Sequence, residues 1–93
     1  MTIPASPPPS GVIEKVNIAI QHDGDASRYG FQVLAESSRT EGDWTYLVID
    51  PTKRNGLRAY EFASILGRVE AEVRKSVQET KVILLPASGT VNP

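Results

Sequence analysis

The sequence has no cysteine, which excludes a disulfide framework, thiolate metal ligands and thiol catalysis. It has no apolar run of about 18 residues, so no membrane-spanning helix is expected. The N-terminus lacks a basic segment followed by an apolar one, which predicts no secretory signal and a cytoplasmic protein. The formal net charge of -1 argues against a dedicated nucleic-acid binder, because such domains are usually basic.

Side chains suited to catalysis are also scarce. The chain holds one histidine and no Gly-x-Ser-x-Gly segment of the kind that presents a nucleophilic serine. Ser27 lies too close in sequence to His22 and Asp23 to form a defined triad with them. We therefore expect a protein without enzymatic activity and without a cofactor.

The histidine lies in the polar segment 21–28, which the sequence predicts to be a loop. Asp23-Gly24-Asp25 favours a hairpin turn, because aspartate and glycine tolerate positive φ. The alternative is a hard-cation or acid–base site formed by His22, Asp23 and Asp25. A calcium loop of the EF-hand kind is not indicated, because the distal glutamate and the flanking helices are missing. We favour the turn.

Residues 56–78 are the only segment with a sustained helical period. Asn55 is the predicted N-cap, with Thr52 as its alternative. At about 1.5 Å per residue the helix reaches roughly 33 Å, enough to cross a small sheet. Gly67 in its middle predicts a close approach to a strand. The apolar side chains recur at spacings of three and four residues: Ala59, Phe62, Ile65, Leu66, Val69, Val73 and Val77.

Four segments have the character of β-strands: 12–20, 29–35, 44–50 and 81–85. In the first, Val16, Ile18 and Ile20 alternate with other residues, as in a strand with one solvated face. In the second, Gly30 predicts a bulge or a close backbone approach. The third and fourth segments are apolar on both sides.

Together these elements predict an α+β fold with the order β-β-β-α-β, in which one long helix packs on one face of a mostly antiparallel four-stranded sheet. The first three strands fit an antiparallel meander, and the helical crossover makes the fourth strand parallel to the third. The predicted domain covers 12–86, between a Pro-rich flexible tail at 1–11 and a frayed tail at 87–93. A plain tail is favoured over recognition of the proline run 7–9 by an aromatic groove.

The predicted architecture leaves one sheet face without a helix. Because the third and fourth strands are apolar on both sides, that face needs a cover. We expect it to bind a protein partner or a second copy of the chain, and thus to serve as an interaction module or small subunit. The predicted contact residues are Leu47, Ile49, Ile83 and Leu85.

The alternative function is anion or nucleic-acid binding at the start of the helix. Lys53, Arg54 and Arg58 place three cations beside a helix N-terminus, whose free N–H groups and dipole favour anions. The segment lacks the spacing of a phosphate-binding P-loop. The less specific interpretation is a solvated turn whose charges pair with Asp50 or Glu61.

Overall fold

The structure, a computed structural model, describes residues 6–77 and 81–87. Most of the predicted C-terminal tail and the first residues of the predicted N-terminal tail lie outside this part of the chain. The described elements are α1 Ser10–His22, α2 Gly24–Arg28, β1 Phe31–Val33, a 3-10 turn Ala35–Ser37, β2 Arg39–Glu41, β3 Trp44–Pro51, α3 Ala59–Ser76 and β4 Lys81–Pro86.

The predicted α+β class is confirmed, with four strands and one long helix packed against the sheet. The described strands and α3 again follow the order β-β-β-α-β, but with a different assignment. The predicted first strand is a helix, and β2 lies between the second and third predicted strands. In the part of the chain that the structure describes, no helix is long and apolar enough to cross a membrane.

The segment 12–20 is a helix, and its prediction as the first strand is wrong. Val12, Val16, Ala19 and Ile20 are buried together on one side of α1, at helical spacing. Ile18, which completed the apparent alternation, is 51% exposed. Three alternating apolar residues therefore indicated a strand where the wider pattern is that of an amphipathic helix.

β3 is the central strand of the sheet. β4 lies parallel to it along one side, with Tyr46 opposite Ile83, as the crossover rule predicts. β1 and β2 both pair antiparallel with the other side of β3, β1 near its C-terminal end and β2 near its N-terminal end. The sheet is thus mixed, and β1 and β2 together act as one interrupted strand.

Ser38 bridges that interruption. Its hydroxyl accepts a hydrogen bond from the Val48 N–H at 3.0 Å and donates one to the Leu34 carbonyl at 2.8 Å. The side chain thereby takes the place of backbone groups where the strand leaves the ladder. A tight turn at Gly42, with φ of 61°, then joins β2 to β3.

The hydrophobic core lies between the sheet and the helices. α1 packs against α3, and both cover the same face of the sheet. Phe31 of β1 meets Phe62 of α3 edge to face, with ring centroids 5.2 Å apart. The core side chains of the strands are Phe31, Leu47, Ile49, Val82 and Leu84.

α3 begins later than predicted. Arg58, not Asn55, is the N-cap, because Gly56 adopts a φ of 83° and the Leu57 N–H bonds to the Arg54 carbonyl in a separate turn. The predicted close approach at Gly67 is also wrong, since a Cβ built there meets nothing within 4 Å. Gly67 instead lines a mostly apolar groove of about 350 Å³ between α3 and β4.

The glycine that does mark a close approach is Gly30, as predicted. It has a φ of 64°, and a Cβ built there would collide with the Thr52 hydroxyl. That hydroxyl donates a hydrogen bond to the Gly30 carbonyl at 2.7 Å. The contact joins the start of β1 to the turn after β3.

Two side chains of α3 bind the outer edge of β4. The Glu70 carboxylate accepts a hydrogen bond from the Leu84 N–H at 2.9 Å. The Arg74 guanidinium donates to the Val82 carbonyl at 3.3 Å and lies 3.8 Å from Glu70. Pro86, at the end of the strand, has no N–H to offer.

Candidate functional site

The candidate site is the sheet face turned away from α1 and α3, which we call the open face. Side chains of a strand alternate between the two faces, and paired residues share a face. Along β3 the buried residues are Thr45, Leu47, Ile49 and Pro51, so the alternate residues point to the open face. With their paired neighbours they are Gln32, Arg39, Glu41, Trp44, Tyr46, Val48, Asp50, Lys81, Ile83 and Leu85.

Leu47 and Ile49 do not belong to this surface, so their prediction as its centre needs correction. Each has 0% of its surface exposed and packs in the core under the helices. Both faces of β3 carry apolar side chains, and the prediction assigned Leu47 and Ile49 to the uncovered face although they lie on the core face. Ile83 and Leu85 do lie on the open face, opposite Tyr46 and Val48.

Five apolar or aromatic side chains form a continuous band across β3 and β4, which we call the apolar strip. They are half-buried or exposed, and Trp44 is 36% exposed. The strip consists of Trp44, Tyr46, Val48, Ile83 and Leu85.

The two aromatic rings of the strip are held by each other and by two cations. The rings of Trp44 and Tyr46 stack with centroids 6.4 Å apart and an interplanar angle of 21°. Lys81 Nζ lies 4.9 Å from the Trp44 centroid, and the Arg39 guanidinium lies 4.9 Å from that of Tyr46. Glu41 accepts a hydrogen bond from Arg39 at 2.9 Å and so fixes the outer end of this arrangement.

This arrangement suits a protein surface better than stacked bases. Base binding on a sheet uses free ring faces next to unpaired cations. Here each ring already contacts a cation and the other ring, and Arg39 is paired with Glu41. The rings are therefore pre-ordered and present apolar area together with polar groups at their edges, as residues at protein interfaces do.

The three cations of the alternative site follow β3 and precede α3. Arg54 forms an ion pair with Asp50 at 3.2 Å, as in the less specific interpretation of this turn. The Lys53 N–H donates to the Tyr29 carbonyl, which ties the turn to the chain before β1. Arg58 is the N-cap and provides no side-chain hydrogen bond to the helix.

Asp23 is an N-cap and not part of a hairpin turn, so that prediction is wrong. Its carboxylate accepts hydrogen bonds from the N–H groups of Asp25 and Ala26, both at 3.1 Å, and starts α2. His22 is the last residue of α1. Residues 21–28 therefore include the end of α1 and the whole of α2.

Arg68 of α3 binds both carboxylates of this segment. Its guanidinium lies 3.0 Å from Asp23 Oδ2 and 2.8 Å from Asp25 Oδ2. The hydrogen bond from Arg68 lowers the pKa of the Asp23 carboxyl, against the opposing effect of burial. No group of three potential metal ligands occurs among the residues whose positions are described.

The sequence interpretation missed Trp44, Tyr46 and Val48 as surface residues. Tyr29 and Phe31 are buried in the core, whereas Trp44 is 36% exposed on the open face. The polar groups of tryptophan and tyrosine were the available signal, because such residues favour boundaries with water.

Comparison with family models, curated proteins and solved structures gave no match to this chain.

Proposed function

We propose that this chain is a non-catalytic, cytoplasmic interaction domain that binds a protein through its open face. The observation that carries the proposal is the apolar strip. A continuous band of aromatic and aliphatic side chains, left partly exposed beside a fully buried face, is typical of a binding surface.

The composition of the strip supports a protein ligand. Tryptophan, tyrosine and arginine dominate the energetically important positions of protein interfaces. Trp44, Tyr46 and Arg39 lie next to one another here, and their contacts hold them in place before binding. Pre-ordered side chains lose less conformational entropy when a partner arrives.

Anion or nucleic-acid binding through Lys53, Arg54 and Arg58 is the weaker proposal. The ion pair with Asp50 offsets the charge of Arg54. The net charge of -1 gives the chain no general attraction to a polyanion.

Site-specific photocrosslinking tests the proposal with two matched positions. Tyr46 lies in the apolar strip, whereas Tyr60 is 74% exposed on α3, on the other side of the sheet. Each tyrosine is replaced in turn by benzoylphenylalanine, and the full chain is irradiated inside the cells that produce it. We expect discrete protein adducts from position 46 and not from position 60.

The outcomes separate clearly. Adducts at both positions with similar yield would indicate random collision and contradict the proposal, as would the absence of adducts at position 46. The mass of the adduct also reports whether the captured protein is another copy of this chain.

A further inference from the structure

We infer that the partner of the open face is a second copy of the chain, bound face to face about a two-fold axis parallel to β3. This inference rests on the proposed function and names its ligand. Its basis is the distribution of charge around the apolar strip.

The charges of the open face balance. Arg39 and Lys81 are cationic, Glu41 and Asp50 are anionic, and all four side chains lie on this face by strand pairing. A neutral surface of this kind attracts neither a strongly acidic nor a strongly basic partner. It can match a copy of itself if opposite charges meet.

One row of the sheet has the required arrangement. Glu41 pairs with Trp44 on one side of β3, and Lys81 pairs with Trp44 on the other. A carboxylate, an indole and an ammonium group therefore follow one another across the sheet. The negative charge lies in β2, on one side of β3, and the positive charge lies in β4, on the other side.

A two-fold axis parallel to β3 exchanges the edges and keeps the rows. Glu41 of one copy then faces Lys81 of the second copy, and this happens twice by symmetry. Trp44, Tyr46 and Val48 of the two copies meet along the axis. The apolar strips are covered, and the two contacts between Glu41 and Lys81 at their rim are attractive. Asp50 of the two copies also meets at the end of the strip, where each carboxylate is already paired with Arg54 of its own chain.

An axis in the same plane but perpendicular to β3 fits less well. It exchanges the two ends of the strands and brings the Trp44 row against the row of Gln32 and Asp50. Asp50 would then lie over the Trp44 ring beside Lys81, and Glu41 would face Gln32 with no cation opposite it. We therefore place the axis parallel to β3, where Glu41 and Lys81 face each other directly at both edges.

Charge exchange between the two edges tests this arrangement. Glu41→Lys alone places lysine against Lys81 of the second copy, and Lys81→Glu alone places glutamate against Glu41. We expect each single variant to dimerise about tenfold more weakly or worse, because two attractive contacts become repulsive. An equimolar mixture of the two variants restores both attractive contacts, and so does the double variant.

The measurement is sedimentation equilibrium from about 1 μM to about 1 mM, in low and in high salt. The wild-type chain should approach twice its mass of 10.1 kDa. Trp44 is the only tryptophan, so its fluorescence reports burial of the strip as the concentration rises. Circular dichroism verifies that every variant is folded.

Glu72→Lys and Lys75→Glu are matched control variants. These residues form an ion pair at 3.5 Å on the exposed surface of α3, away from the open face. The same reversals of charge there should leave dimerisation unchanged.

A wild-type chain that stays monomeric across the range would overturn the inference, as would folded single variants whose mixture fails to recover the dimer. Neither result would overturn the proposed function if position 46 still captures a different protein in cells. Loss of specific adducts at position 46 would instead overturn both.

Discussion

The two faces of the sheet are built from similar residues but have different surroundings. On one face Leu47, Ile49 and Val82 have no exposed surface and pack beneath α1 and α3. On the other, the apolar strip lies partly in contact with solvent. Apolar character alone therefore does not identify which face of a central strand forms the core.

The comparison separates two uses of hydrophobic surface within one domain. Side chains of the covered face stabilise the chain by leaving water during folding. Side chains of the open face stay partly in water after folding and would leave it only when a partner binds. Mutations on the two faces should therefore have different consequences for folding and for association.

The largest expected difference comes from one truncation made on each face. Leu47→Ala should lower the free energy of unfolding by about 3 kcal/mol or more, because it leaves a cavity in the core. Leu85→Ala, which truncates the same side chain on the open face, should cost about 1 kcal/mol or less. Urea denaturation measures both.

A milder pair covers the case in which Leu47→Ala does not fold. Ile49→Val removes one buried methyl group and should cost about 1 kcal/mol, whereas Ile83→Val on the open face should cost clearly less. Equal losses within either pair would show that the open face is buried in the isolated chain.

Substitutions at Gly30 and Gly67 test how closely other residues approach these two glycines. Gly30→Ala should destabilise by about 2 kcal/mol, because it forces alanine into a left-handed conformation against Thr52. Gly67→Ala should stabilise by about 0.5–1 kcal/mol, because α3 is open there and alanine favours a helix. Thermal unfolding gives both signs, and destabilisation by Gly67→Ala would contradict the open groove.

A further pair of variants concerns the N-cap and ion pair that link α2 to α3. Asp23→Ala should cost about 1 kcal/mol through loss of the N-cap, whereas Asp23→Asn keeps a capping oxygen and removes only the charge. Because folding lowers the pKa of Asp23, its charge stabilises the fold above the ordinary value of 3.8. That contribution is lost as the pH falls below 3.8 and through the folded pKa.

Unfolding titrations of wild type and Asp23→Asn measure this dependence. The stability difference between them should be constant near neutral pH and should shrink as acid protonates the wild-type carboxylate. A difference that grows in acid would contradict the ion pair with Arg68.

The sequence predicted the elements whose pattern has one interpretation. β3 and β4 are short apolar runs bounded by turn residues, and α3 has a long helical period, so all three were located within a few residues. The parallel pairing of β3 with β4 followed from the crossover between them.

The remaining features depend on contacts that are distant in the chain. The choice between the two apolar faces of β3 depends on where α1 and α3 pack, and the alternation completed by the exposed Ile18 predicts a strand where α1 forms. Arg68 reaches Asp23 across 45 residues, and no local pattern indicates that contact. The sequence therefore predicted an uncovered sheet face as the candidate site. It assigned Leu47 and Ile49 to that face, although both are core residues, and did not assign Trp44, Tyr46 and Val48 to it.

The side chains bound to the edge of β4 limit how copies of this chain can assemble. The Glu70 carboxylate already accepts the Leu84 N–H, and the Arg74 guanidinium already donates to the Val82 carbonyl. A neighbouring strand would need both of these backbone groups, and Pro86 has no N–H to offer it. Growth of the sheet from strand to strand is thereby obstructed on this side. Association through a face closes after two copies, whereas association through an edge can continue into a fibre.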